Sequence, residues 1–188
     1  MRIIGGEAKG RRLIAPDGSE TRPTLDKTRE ALFSILMRDV PGARVLDLFG
    51  GTGALALEAI SRGAESAVIC DLSRFAARAI QANITSVTHD DGSVRFIKSD
   101  YKAALKALTQ EQFDLVFLDP PYAMQDAYAE AIGFLLQNHM LREDFIIVSE
   151  RAASACVAYP EGVRLKDTRT YRDTAIDFLI SDNTGDLL

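Results

Sequence analysis

Apolar residues along this chain follow two alternating patterns. Short continuous runs fall at residues 44–48, 66–70, 94–97, 113–118 and 145–149. Such runs read as strands buried on both faces of a sheet. Before and between them, apolar positions return every three or four residues, at 26–38, 54–62, from Phe75 through Ile80, 101–108 and 128–137. These read as helices, with Phe75, Ala76, Ala79 and Ile80 predicted inward on the third. Ser73 is placed to cap that helix, and Gly63 to end the one before it. The two ends of the chain differ. Residues 2–4 and 10–14 around Gly5-Gly6 predict an N-terminal hairpin, and Pro16, Gly18 and Pro23 keep the next stretch irregular. Residues 163–168 and 174–180 flank Tyr171-Arg172-Asp173, which predicts an antiparallel hairpin near the other end.

Strand–helix alternation means an α/β fold, a parallel sheet with helices on both faces. Crossovers are right-handed, so strand order must reverse somewhere, and ligands bind at that point outside the strands' carboxyl ends. The loops after strands one to four are therefore the informative ones. At 188 residues there is room for one domain, divided here into a basic arm (1–23), a core (24–181) and a tail (182–188). No apolar run approaches the roughly 20 residues of a membrane span, and no apolar signal segment opens the chain, so a cytoplasmic protein is expected. Cys70 and Cys156 both lie beside apolar residues and are predicted to be inert buried thiols.

Net charge is -5, but it is unevenly spread. Residues 1–29 hold seven basic side chains against four acidic ones, and the remainder fifteen against twenty-three. A basic arm on an acidic body suits an anionic partner met at one end. Arg2, Lys9, Arg11, Arg12 and Arg22 are the candidate contacts.

Two motifs carry chemistry. Asp47-Leu48-Phe49-Gly50-Gly51-Thr52-Gly53 joins the first strand to the next helix, where glycines permit a tight turn and close approach of backbone to ligand. Gly51 to Ala56 fits the dinucleotide pattern, and Asp71 falls 20 residues after Gly51, where an acid can hold ribose hydroxyls. A nicotinamide-dependent oxidoreductase is one reading. Asp47 favours another, because a carboxylate ahead of the glycines repels a pyrophosphate but attracts a cation. S-adenosylmethionine offers adenosine to Asp71 and a cationic amino-acid tail to the Asp47 loop.

The second motif, Asp119-Pro120-Pro121-Tyr122, ends the fourth strand. Two prolines make a rigid corner without backbone donors. Asp119 and the Pro120 carbonyl could accept both N–H bonds of an exocyclic amine on a nucleobase, with Tyr122 stacked on the ring. Strands one and four flank the reversal, so both motifs should face one cleft. The Asp90-Asp91-Gly92 acids read as a solvated turn, His89 and His139 as non-catalytic, and methyl transfer needs no metal.

Together these stretches resemble the class I S-adenosylmethionine-dependent methyltransferases, and more closely the bacterial 16S rRNA guanine-N2 methyltransferases of the RsmD type. Arg2-Ile3-Ile4-Gly5-Gly6, Gly10-Arg11-Arg12-Leu13 and Arg22-Pro23-Thr24 with Asp26, Arg29 and Glu30 are the family-specific part. The glycine loop and the Asp-Pro-Pro-Tyr motif are shared more widely among amine methyltransferases. The resemblance implies a Rossmann-like, seven-stranded sheet ordered 3-2-1-4-5-7-6, with strand seven antiparallel. It implies Asp47, Phe49, Gly51 and Gly53 around the methionine tail, Asp71 and Leu72 at ribose and adenine, and Asp100 and Tyr101 near the adenine. Thr24, Asp26 and Arg29 would cover the methionine end, although Asp26 and Arg29 are also spaced for a plain surface ion pair. The implied substrate is one guanine of 16S rRNA in a small-subunit assembly particle, met by a monomer. Adenine-N6 methylation of DNA or RNA, amide methylation of a protein and non-catalytic RNA binding are the alternatives. One position departs from the family pattern: Arg172 stands where a glycine is expected.

Overall fold

The computed structural model describes residues 1–15, 23–121 and 123–182, with side chains in the first helix described from Asp26 onward. The expectations for Arg22, Tyr122 and the tail beyond Asp182, and for the Thr24 side chain, lie outside the described residues.

Helix α1 (Pro23–Ile35) precedes β1 (Arg44–Asp47), α2 (Ala54–Ser61), β2 (Ser66–Cys70), α3 (Arg74–Thr88) and β3 (Val94–Ile97). Then come α4 (Tyr101–Ala107), β4 (Phe113–Leu118), α5 (Asp126–Gln137), β5 (Leu141–Ala152), β6 (Val163–Tyr171) and β7 (Thr174–Ser181). They form one seven-stranded sheet in the order β3-β2-β1-β4-β5-β7-β6, as the resemblance implied. Strands β1 to β5 are parallel, while β7 runs antiparallel to both β5 and β6.

Because side chains alternate along a strand, each buried strand feeds two cores. Val45, Leu115, Phe117 and Val148 face the layer containing Phe33, Leu57 and Ile80 of α1, α2 and α3. Leu46, Leu48, Val116 and Leu118 face the layer containing Leu105, Ile132 and Leu135 of α4 and α5. That two-sided demand is why these strands read as unbroken apolar runs.

Several boundaries and orientations differ from expectation. Pro23 opens α1 earlier than predicted, a position where its missing N–H costs nothing. Strand β5 is longer at both ends. Its polar start pairs with β4 at Leu141–Phe113 ahead of a register shift, and Glu150–Ala152 pair with β7, so backbone hydrogen bonds rather than hydrophobic pattern extend it. The N-terminal hairpin is reduced to one antiparallel bridge, Arg2 with Arg12. Phe75 is 49% exposed rather than inward, because it sits one position off the stripe formed by Ala76, Ala79, Ile80, Asn83, Ile84 and Val87. Cys156 is exposed, whereas Cys70 is buried as expected. Arg172 adopts φ 55° in the β6–β7 turn. That left-handed backbone is what a glycine would take without penalty, which explains the expected residue there.

The arm docks on the body instead of standing free. Glu7 N–H donates to the Ser61 carbonyl (2.7 Å) and Ala8 N–H to Ser61 Oγ (2.9 Å). Gly6, at φ 75°, lies so close that a Cβ there would stand 1.6 Å from the Ser61 carbonyl oxygen. Arg2, Lys9, Arg11 and Arg12 remain exposed on its outer side.

Candidate active site

A cavity of about 390 Å³ opens at the carboxyl ends of β1, β2, β3 and β4. Phe49, Asp71, Leu72, Asp100, Tyr101, Asp119 and Pro121, seven of the sequence candidates, line it. The size is within the range of small-molecule and cofactor sites. Leu48, Ser73, Ser99 and Met124 complete the wall and were not among the predicted site residues. Three carboxylates and no lysine or arginine stand among these lining residues. Such a wall favours a cation and disfavours a pyrophosphate.

The glycine loop is built as the sequence suggests. Gly51 and Gly53 adopt φ 55° and 75°, and Gly53 caps α2. Gly51 N–H donates to Asp71 Oδ2 at 2.8 Å, and Ser73 N–H to Asp71 Oδ1 at 2.7 Å. One acid at the tip of β2 thereby braces the loop after β1. Beside it, the Phe49 and Tyr101 rings meet at 5.4 Å between centroids. Tyr101 donates its hydroxyl to Glu130, and Asp100 caps α4 by accepting from Ala103 N–H at 3.0 Å. Asp100 thus shapes the wall as well as lining it.

Asp47 does not line the cavity. It lies beneath the loop, 2% exposed, and accepts from Phe49 N–H at 3.4 Å. Burial pushes its carboxyl up to about 7, with the Asp71 charge adding to the effect. Asp119 follows the last residue of β4 and is wetted through the cavity mouth. The protein packed around it, then Glu150 and then Asp47 hold its pKa well above the usual carboxylate range. The wetting argues against a large energy for this effect, but three carboxylates at adjacent strand tips fix its direction.

Glu150 escaped the sequence reading, which ended the fifth strand one residue before it. Leu118 pairs with Ser149, so the next residues on each strand, Asp119 and Glu150, are neighbours at the sheet's edge. Pro120, whose carbonyl is the expected acceptor, is buried at this corner, and the next carbonyl, that of Pro121, closes the turn by accepting from Met124 N–H at 2.8 Å.

Asp26 and Arg29 are not on the cavity wall. Arg29 is 5% exposed, 3.1 Å from Asp26 and 3.7 Å from Glu58, and donates to the Arg2 carbonyl. The ion pair expected from the spacing of Asp26 and Arg29 is formed, but its guanidinium is buried and fastens the arm to the helices.

This sheet order with β7 antiparallel, and a cleft between β1 and β4, defines a class I methyltransferase fold. Residues 1–180 match the family model described as Conserved hypothetical protein 95. Ribosomal RNA small subunit methyltransferase D of Escherichia coli K12 is 36% identical over 152 residues, covering 80% of this chain and 74% of that protein. YlbH of Bacillus subtilis is 37% identical over 152 residues, covering 80% and 82%. The solved structure of Escherichia coli yhhF aligns with a TM-score of 0.85 at 32% identity, covering 96% of this chain and 97% of that one. The chain belongs to the family of ribosomal RNA small subunit methyltransferase D.

Proposed function

We propose that this protein transfers a methyl group from S-adenosylmethionine to the exocyclic N2 amine of one guanine in 16S rRNA, acting as a monomer on a small-subunit assembly particle in the cytoplasm. The observation that carries this reading is the shared cavity: Asp119, the acceptor-side acid, lies on the same wall as Phe49, Asp71 and Tyr101. The residues present fit the cofactor. Asp71 keeps unused lone pairs for ribose hydroxyls after its two backbone bonds, and the buried Asp47 supplies negative charge under the loop.

When bound, S-adenosylmethionine supplies a methyl group on a cationic sulfur. The carbon–sulfur bond breaks as the new carbon–nitrogen bond forms, and the amine gives up one proton. Asp119 would hold an N–H of that amine and take the proton, a role its raised pKa suits. The prolines fix where that carboxylate sits, so catalysis is mostly positioning and electrostatics. The exposed arginines of the arm would hold rRNA phosphates.

The test is methyl transfer to small-subunit particles from a strain lacking this gene, read by nucleoside mass spectrometry. N2-methylguanosine is expected. N6-methyladenosine would overturn the guanine assignment. Asp119→Ala should lower turnover at least about 100-fold with cofactor affinity nearly intact, and unchanged turnover would refute its role.

A further inference from the structure

We propose that the solvent face of α3 is the track by which single-stranded RNA reaches the cavity, with Phe75 as a stacking platform and Arg74, Arg78 and Arg11 as phosphate contacts. It rests on the rRNA reading above and adds a surface that the basic arm alone does not include.

Helix α3 carries no acidic residue. Its outward positions, Arg74, Phe75, Arg78, Gln81 and Thr85, are exposed and lead to His89 at its end. That line spans roughly 22 Å at 1.5 Å per residue. At the near end, Leu72 (68% exposed) and Met124 (39%) form an apolar lip of the cavity, and Phe75 (49%) follows one turn on from Leu72. The Arg74 guanidinium lies 4.9 Å from the Phe75 ring centroid. An aromatic ring and a guanidinium beside the cavity's lip are the elements on which unpaired bases stack.

The far end joins the arm. Arg11 Nη2 lies 3.5 Å from His89 Nε2. Asn83 accepts from Ile14 N–H at 2.7 Å and donates to the Ile14 carbonyl at 2.9 Å, so arm and helix present one continuous face. Several other surface cations are neutralised in pairs, Arg44 with Glu65, Arg95 with Glu111, Lys102 with Glu130 and Arg169 with Asp167, whereas exposed Lys98, Lys106 and Arg164 are scattered and lie on no common helix face with an aromatic ring. Among the described residues, Arg74, Arg78 and Arg11 form no such pair. Asp90 and Asp91 bound the track at the turn after α3, so the strand leaves over Arg11. An unneutralised basic line on an otherwise acidic body, ending at a stacking platform, fits a polyanion with exposed bases.

The experiment titrates the full-length protein with a fluorescein-labelled single-stranded RNA 20-mer and with its duplex, at several salt concentrations. Arg74→Ala with Arg78→Ala should reduce the slope of log K against log salt by about 1.4, since each phosphate contact to a single strand contributes about 0.7. Phe75→Ala should weaken single-strand binding about 10-fold while leaving that slope and duplex binding unaltered. An unchanged slope in the arginine variant overturns the track, as does equal loss of duplex and single strand in Phe75→Ala. Calorimetry with S-adenosylmethionine separates the two readings: wild type that fails to bind it defeats the proposed methyl transfer, whereas the RNA titrations test the track alone.

Discussion

Asp71 receives the backbone N–H of Gly51 on one carboxylate oxygen and that of Ser73 on the other, at 2.8 and 2.7 Å. The tip of β2 and the loop after β1 are therefore one unit, and the acid proposed to hold ribose also sets the shape of the loop that holds the amino-acid tail. Removing it should affect the cofactor twice. Asp71→Ala is expected to weaken S-adenosylmethionine binding roughly 10- to 100-fold, the worth of one or two hydrogen bonds to a charged group. Asp71→Asn keeps one acceptor and should fall between. Calorimetric Kd values decide it, and an affinity within twofold of wild type for the alanine variant would remove Asp71 from the site.

Asp47 links cofactor binding to pH. Folded, it keeps its proton up to about 7, against a usual value of 3.8. Between those values the folded state binds the extra proton, so the contribution of Asp47 to stability is complete below about pH 4 and is lost as pH rises toward 7. The loss is at most about 4 kcal/mol. Asp47→Asn should therefore melt above wild type at pH 8, with the advantage shrinking toward pH 5. A cationic ligand favours the ionised carboxylate, so S-adenosylmethionine should bind more tightly through pH 7 and release protons at pH 6. Calorimetry in two buffers of different ionisation enthalpy measures that release. Equal release from wild type and Asp47→Asn would assign the proton to another group.

The strands of the sheet were legible because burial on both faces leaves runs that nothing else in the chain imitates. Asp47 and Asp119 were legible for the converse reason: each interrupts or ends such a run where a purely structural strand has no use for a charge. Hydrogen-bonded features were harder to see. The polar carboxyl end of β5 is strand because β7 pairs with it, and Glu150 lies in that extension. Phe75 was misjudged because spacing alone tolerates a one-position error of 100° around a helix, which carries a side chain from core to solvent. The burial of Glu58 could not be read from the sequence, since a glutamate in a helix ordinarily faces water.

Glu58 is in fact fully buried, and it decides whether the arm is part of the protein. Its two oxygens accept from Ile4 N–H and Gly5 N–H, each at 2.8 Å, and from Arg62 Nε at 2.8 Å, while Arg29 Nε stands 3.7 Å away. Burial lowers the Arg29 pKa, and the charges of Glu58 and then Asp26 oppose that shift. Glu58→Ala would leave the Ile4 and Gly5 amides and Arg62 Nε without this acceptor, and the buried Arg29 with Asp26 as its remaining counter-charge. The expected cost is 3–5 kcal/mol, or roughly 10 °C in Tm for a chain of this length. Glu58→Gln keeps the shape and one acceptor, so it should fold even if the alanine variant does not. In either variant the Ile4 and Gly5 amides should exchange with solvent much faster, and RNA affinity should drop as Arg11 loses its footing beside His89. The cavity does not include Glu58, so Kd for S-adenosylmethionine should stay within about threefold. Wild-type exchange rates at Ile4 and Gly5 in Glu58→Gln would show that the arm is held by its contacts to Ser61 and Asn83 instead.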